Sequence, residues 1–216
     1  ASLSFDCSGD FNDLDSFTGE GVCRQLQLDL PESISLHAKN IELNLQGMFL
    51  QTEPFPITHP YLGLFLESGA VQLNTGELWT TLTGDLDATP FRKLILEETG
   101  LLVNGHGTLS VDFSGTLETP VFNGVLDVAD GRVDVPGLTR PVTDLRGSVS
   151  FEPSMLTVQK ASARYGNGTA VVNGLVSREA VSFSSSLEKI PLELPGITAD
   201  VTGFARIQGK PDDQRL

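Results

Sequence analysis

The sequence lacks the features by which several classes of protein are recognised. No apolar run approaches the ~18 residues that a membrane-spanning helix requires. Only two cysteines are present, Cys7 and Cys23, they do not form a CxxC pair, and the histidines are scattered, so a zinc site is not expected. The 22 glycines include no phosphate-binding GxGxxG or GxxxxGK[ST] motif. Zinc proteins and nucleotide-binding enzymes are therefore poor interpretations of this chain.

Basic residues are also scarce. Lys and Arg together number 14 against 28 Asp and Glu, which gives a formal net charge of −14. Nucleic-acid binding depends on basic side chains that neutralise phosphates, and so does electrostatic docking onto anionic lipid headgroups. We therefore expect no nucleic-acid partner. With 39% hydrophobic and 19% charged residues, the 216-residue chain can bury a core, as one large domain or two small ones.

The two cysteines leave two interpretations open. In an extracytoplasmic protein, Cys7 and Cys23 could form a disulfide that closes the ring of residues 7–23, worth about 3 kcal/mol on a loop-entropy estimate. Alternatively, they are two small hydrophobic residues with free thiols. Their spacing alone does not decide between these interpretations.

Apolar and polar residues alternate along most of the chain. Leu109, Val111 and Phe113, for example, would share one face of a strand, because polar residues separate them. The same period of two recurs in both halves, and turn signals such as Ala129-Asp130-Gly131 often separate the runs by roughly 8–12 residues. The pattern predicts an all-β chain in which most neighbouring strands form antiparallel hairpins.

One segment favours a helix instead. Residues 89–99 begin with Thr89 as a cap and Pro90 at the first helical position, and Gly100 follows their end. We expect at most this one short helix. Since no other helix is available to cover the apolar faces of the strands, the sheet must cover itself, as a sandwich, a closed barrel, a solenoid or a folded-over groove.

An irregular repeat carries a resemblance to a known family. A glycine, an alternating strand or short linker and a proline recur at Gly84–Pro90, Gly115–Pro120 and Gly203–Pro211. The run GTLETP, a strand–Asp-Gly–strand hairpin ending at Val135-Pro136, and the segments DLRGSVSF and LTVQKASARYGNG follow in the order of the C-terminal region of TamB. The chain thus resembles the TamB family of the AsmA-like superfamily, closely over residues 100–213 and loosely over residues 1–99.

The resemblance implies a fold and a setting. TamB-like proteins are anchored in the bacterial inner membrane by an N-terminal helix and extend across the periplasm. We therefore expect a long, mostly antiparallel, twisted sheet curled into an open, taco-like apolar groove. Residues 1–99 would form the N-terminal part of the groove and residues 100–216 the C-terminal β-repeat region, in one extended domain. A start without Met and a charged end agree with a periplasmic piece of a longer chain.

The resemblance also implies a function. TamB-like proteins partner TamA, an outer-membrane barrel of the BamA type, in the translocation and assembly module. They are thought to conduct phospholipid between the two membranes and so to support outer-membrane biogenesis. An apolar groove suits acyl chains, because each CH₂ moved from water into it gains about 0.8 kcal/mol. The side chains expected to line the groove are Leu109, Val111, Phe113, Leu126, Val128, Val133, Val135, Val149, Phe151, Leu156, Val158, Val172 and Phe183.

Two other functions stay open at this point. The edge strands of such a sheet could pair with strands of unfolded outer-membrane proteins, which would make the chain an assembly scaffold or chaperone. An enzyme would need converging carboxylates or a metal, but Asp112, Glu118 and Asp127 fall on polar faces or in turns, and no GxSxG motif occurs. We therefore predict a binding protein without catalytic residues, metal or cofactor.

Overall fold

The computed structural model describes residues 2–10, 12–30, 34–59, 62–88, 92, 96–97, 100–116, 118–194 and 197–210. These residues form a single antiparallel sheet of 14 strands, as the period-two pattern predicts. The all-β prediction is confirmed, whereas the curling of the sheet into a groove stays a prediction.

The strands follow one another in the sheet almost in the order of the sequence. Their bounds are β1 Ser2–Asp10, β2 Asp13–Leu30, β3 Ile34–Gln46, β4 Phe49–Thr52, β5 Phe55–His59, β6 Leu62–Gln72, β7 Glu77–Asp87, β8 Leu102–Gly115, β9 Pro120–Asp134, β10 Val142–Glu152, β11 Met155–Tyr165, β12 Gly168–Ser177, β13 Val181–Leu194 and β14 Ile197–Gly209. The short strands β4 and β5 occupy the same position in the sheet, because both pair with β3 and β6. The sheet is therefore a meander.

The strand order bears on two local features that the sequence predicts. The hairpin predicted at Ala129-Asp130-Gly131 is wrong, because β9 runs through these residues, with Val128 paired to Gly147 and Gly131 paired to Leu145. The extra residue between these two pairs is a β-bulge rather than a turn. The predicted helix at 89–99 lies mostly outside the described residues. Within it, Arg92, Leu96 and Glu97 have helical backbone.

The chain divides into two compact units. Unit 1 comprises Ala1–Leu86 with Leu109–Asn123, and unit 2 comprises Asp87–Thr108 with Gly124–Leu216. All the described hydrophobic side chains that are buried belong to unit 1: Ala38, Ile41, Leu45, Phe55, Leu64 and Val111. Ala38, Ile41 and Phe55 form one cluster of this core, and the partly buried Cys23, Leu43, Ile57 and Leu66 pack against it. The division at residue 99 was drawn from the resemblance rather than from packing, and it stays a prediction.

Left-handed residues inside strands keep the apolar side chains on one side of the sheet. They are Asn40 (φ 54°), Asp144 (φ 52°), Lys160 (φ 49°) and Lys189 (φ 52°). Each stands between two apolar residues that are three positions apart, such as Val158 and Ala161 around Lys160. Residues three apart face opposite sides of a regular strand, but one bulged residue returns the second to the side of the first. The register shifts by one residue at this point, since Val158 pairs with Gly174 and Ala161 with Val172.

Neighbouring strands supply hydrogen-bond partners for two of these bulges. The backbone amide of Lys160 donates to Oδ1 of Asn173 at 2.9 Å, and that of Lys189 donates to Oγ1 of Thr202 at 3.1 Å. A bulge takes its amide out of the regular ladder, and an unpaired backbone donor is unfavourable. The side chains of Asn173 and Thr202 therefore help to fix the positions of the bulges.

Removal of the Asn173 side chain tests this arrangement. We expect Asn173→Ala to lower the free energy of unfolding by about 1 kcal/mol, because the Lys160 amide loses its acceptor. Asn167→Ala, in the exposed turn between β11 and β12, is the matched control and should change stability by less than about 0.5 kcal/mol. Chemical denaturation measures both, and equal effects of the two substitutions would contradict the role given to Asn173.

Candidate functional site

Cross-strand pairing collects the apolar residues of β9–β14 on one face of unit 2. One row of paired residues crosses these six strands, and it consists of Leu126, Val149, Val158, Gly174, Phe183 and Ile207. A parallel row consists of Gly124, Phe151, Leu156, Val176, Val181 and Gly209. We call this surface the apolar face of unit 2.

Polar groups are rare on the apolar face. Across the paired positions of the described strands β9–β14, it carries only the hydroxyl groups of Tyr165 and Ser185 and no charged side chain. The other face differs, because a row there consists of Val125, Ser150, Thr157, Leu175, Ser182 and Gln208. The two faces of the same strands thus present different chemistry, as the alternation predicts.

The apolar face is half-covered rather than buried. None of the described Val, Leu, Ile or Phe side chains of unit 2 is buried, and Ile207 on β14 is 67% exposed. A contiguous apolar surface left open in this way is unusual for a soluble domain and commonly marks a binding surface. This face is the candidate functional site.

Most of the predicted groove residues lie on this face. The cross-strand pairs place Leu126, Val128, Val133, Val149, Phe151, Leu156, Val158, Val172 and Phe183 there. Val135 instead follows the end of β9, where its carbonyl accepts a hydrogen bond from the amide of Leu138 at 3.1 Å. Whether these residues contact acyl chains stays a prediction.

The three remaining predicted residues, Leu109, Val111 and Phe113, belong to unit 1. Thr81 Oγ1 donates to Asp112 Oδ1 at 2.7 Å, so Thr81 and Asp112 share the polar face and Val111 lies on the opposite, apolar face. Val111 is 6% exposed and is part of the interior of unit 1. In unit 1 the apolar face is thus covered more completely than in unit 2.

The register also adds residues that the sequence-based list left out. Among them are Val142, Leu145, Ala161, Ala170, Val176, Val181, Leu187, Ile190, Val201 and Ile207. The signal for several of them is a spacing of three positions with two polar residues in between, as in Val142–Leu145 and Leu187–Ile190. A strict period of two would place the two residues of such a pair on opposite faces of the strand.

Gly174 leaves room for an aromatic ring on the apolar face. The ring of Phe183 lies against Gly174 on the neighbouring strand, where a Cβ atom would overlap its Cδ1 and Cε1 atoms. The aromatic ring thereby covers backbone that glycine leaves bare, which is a known way to stabilise a glycine in a sheet. The pair forms a flat part of the apolar face.

Alanine at this position should displace the ring. We expect Gly174→Ala to lower the free energy of unfolding by about 1–3 kcal/mol, because Phe183 must leave its position. Gly203→Ala is the matched control on the same face, since a Cβ atom there meets nothing within 4 Å. A loss of stability with Gly203→Ala as large as with Gly174→Ala, measured by thermal or chemical unfolding, would contradict this packing.

The disulfide considered from the sequence is not formed, and both cysteines are free. Cys7 on β1 pairs with Gly19 on β2, whereas Cys23 on β2 pairs with Leu3 on β1. The interval from position 19 to position 23 on an extended strand is about 13 Å. A disulfide needs Cα atoms about 4.4–6.8 Å apart, so this register keeps the two thiols too far apart.

Thiol labelling checks this register. We expect the intact chain, unfolded in the presence of a maleimide without reductant, to gain two adducts in mass spectrometry. In the folded chain the exposed Cys7 should react faster than the half-buried Cys23. A monomer that gains adducts only after reduction would show that the two cysteines are bridged.

The described residues contain no group of three or more His, Cys, Asp or Glu side chains that could hold a metal ion. In the same residues, no helix has both the length and the apolar character needed to cross a membrane.

The comparisons with known proteins return no relative. No protein-family model, no curated protein and no solved structure matches the chain. The resemblance to the TamB family therefore rests on the residues given above and stays a prediction. What the fold defines is an all-β protein with one apolar, half-exposed sheet face.

Proposed function

We propose that the chain is a β-sheet segment of a periplasmic lipid-transport protein of the TamB type. Its apolar face would hold the acyl chains of phospholipid non-covalently and conduct phospholipid between the inner and outer membranes. The observation that carries this proposal is the apolar face of unit 2, which is free of charged side chains at its paired positions and is not buried.

Acyl chains match the chemistry of this face. Burial of apolar surface stabilises a complex by about 25 cal/mol per Å², so many methylene contacts add up without any specific polar contact. A face composed of Val, Leu, Ile, Phe, Ala and Gly offers little discrimination between lipids, which suits bulk transfer. If the sheet curls as proposed, its apolar face would contact the acyl chains from more than one side.

The charge of the chain fits lipid binding through the tails rather than the headgroups. A net charge of −14 disfavours contact with anionic headgroups. On this proposal the headgroups stay in water at the mouth of the groove. The proposal requires no enzyme activity and no cofactor, and the whole protein would be anchored in the inner membrane and partner a TamA-like barrel.

A second candidate is a scaffold that pairs with strands of outer-membrane proteins. The observation that favours it is β14, the last strand of the described sheet, whose Phe204 is 90% exposed on the polar face and Ile207 67% exposed on the apolar face. An added strand could cover both side chains while it pairs with the backbone of β14.

Lipid analysis of the purified protein tests the main proposal. We expect an organic extract of the detergent-free protein to contain near-stoichiometric phospholipid by mass spectrometry. Phe151→Glu should reduce this amount at least about tenfold, because a carboxylate in the middle of the apolar face would lose its hydration when an acyl chain binds. Phe151 is suited to the test because it is only half-buried, unlike Val111.

Ser150→Glu is the matched control. Ser150 precedes Phe151 on β10 and lies on the polar face, so the same charge there should leave the lipid content unchanged. A folded wild-type protein free of lipid, or equal lipid in both variants, would overturn the acyl-chain proposal. In that case, binding of extended outer-membrane-protein peptides that a proline in β14 abolishes would support the scaffold.

A further inference from the structure

An exposed tryptophan stands on the polar face of unit 1. Trp79 on β7 is the only tryptophan in the sequence, and it is 44% exposed. It lies on the same face as Thr81, and therefore on the opposite face from Leu78 and Thr80. A tryptophan on the core side of the sheet would need no explanation, but this one faces solvent.

The neighbours of Trp79 form a hollow beside its ring. The row of paired residues across three strands is Gln51, Ala70 and Trp79, so the small side chain of Ala70 lies between two large ones. The hollow has a volume of about 540 Å³, and its lining includes Gln51, Glu53, Ser68, Ala70, Trp79 and Thr81. Its size is in the range of small-ligand sites.

Hydrogen-bonding groups line the same hollow as the aromatic ring. Gln51 offers an amide, Glu53 a carboxylate, and Ser68 and Thr81 hydroxyl groups. Thr81 is itself held by Asp112 Oδ1 at 2.7 Å across the β7–β8 pair, which fixes the orientation of its hydroxyl. One flat apolar surface is thus combined with several donors and acceptors.

We propose that this hollow is a carbohydrate-binding site for a neutral pyranose unit of a glycan. The C–H groups on one side of a pyranose ring carry partial positive charge and stack on the negative face of an indole. The hydroxyl groups at the edge of the sugar would bond to the amide, carboxylate and hydroxyl groups of the lining. The proposal does not rest on lipid transport, since it uses the polar face of unit 1 and not the apolar face of unit 2.

The surrounding charge selects among possible ligands. Glu53, Glu67 and Asp112 lie on or near the hollow, so a uronate or a phosphorylated sugar would be repelled. A protein partner fits less well, because the cores of protein interfaces are depleted of charged residues, whereas polar and acidic groups border this ring. A neutral sugar can both stack on the indole ring and form hydrogen bonds with the polar groups of the hollow.

The single tryptophan makes the test direct. We expect the tryptophan fluorescence of the folded chain to change saturably on titration with a neutral oligosaccharide, either cellohexaose or chitohexaose. Hexagalacturonic acid, which is similar in size but anionic, should bind at least about tenfold more weakly at low salt. No saturable change with either neutral oligosaccharide at millimolar concentration would overturn the proposal.

Substitutions distinguish this hollow from the rest of the surface. Ala70→Leu should fill the hollow and weaken binding at least about tenfold while Trp79 still reports, and Trp79→Ala should abolish the heat of binding in calorimetry. Phe65→Ala is the control, because Phe65 is also on this face and is 40% exposed, but does not line the hollow. Circular dichroism verifies that each variant is folded.

The outcomes are separate from those of the lipid experiment. Unchanged binding in folded Ala70→Leu, or loss of binding in Phe65→Ala equal to that in Ala70→Leu, would overturn the carbohydrate site. Saturable binding of an unrelated protein segment that Ala70→Leu abolishes, without binding of sugar, would replace it with a protein-docking site. Neither result bears on the lipid content of unit 2.

Discussion

The need to keep apolar side chains on one side of a long sheet controls much of this structure. The strands pair with their sequence neighbours. A shift of one residue within a strand would therefore move the apolar side chains in the rest of that strand to the opposite face of the sheet. Lys160 and Lys189 adopt left-handed backbone, and the bulges they form return the following apolar side chains to the apolar face. Asn173 and Thr202 provide acceptors for the amides of these two residues. The apolar face of unit 2 exists only because these corrections are made at the right positions.

Both units have an apolar sheet face, but they bury it to different extents. In unit 1 the apolar face buries a core that contains Ala38, Ile41 and Phe55. In unit 2 the equivalent face is built from similar residue types, but it remains half-exposed. The difference does not lie in the composition of the strands. It lies in how far the face is buried, and this is why unit 2 is the better candidate for a ligand that is itself apolar.

The alternation of the sequence was sufficient to predict the strands and most of the residues that share a face. Phe151 and Val158, for example, were assigned correctly because each belongs to a regular run. The register between strands was not predictable, because it depends on where bulges fall. For the same reason, the turn signal at Asp130-Gly131 gave a hairpin where β9 has a bulge, and the distance between Cys7 and Cys23 became clear only from the pairing. The hollow beside Trp79 needed three paired strands to become visible.

The meander order has a consequence for how such a sheet can form and change. Since nearly all pairing joins strands adjacent in sequence, few long loops must close before contacts stabilise the chain, and folding should be faster than for a sheet of the same size that pairs distant strands. Pairing could begin at any hairpin and spread in both directions, as in a repeat protein, where each element depends mainly on its immediate neighbours. Gain or loss of one hairpin would then alter the length of the sheet by a fixed step and change the partners only of the strands that flank it.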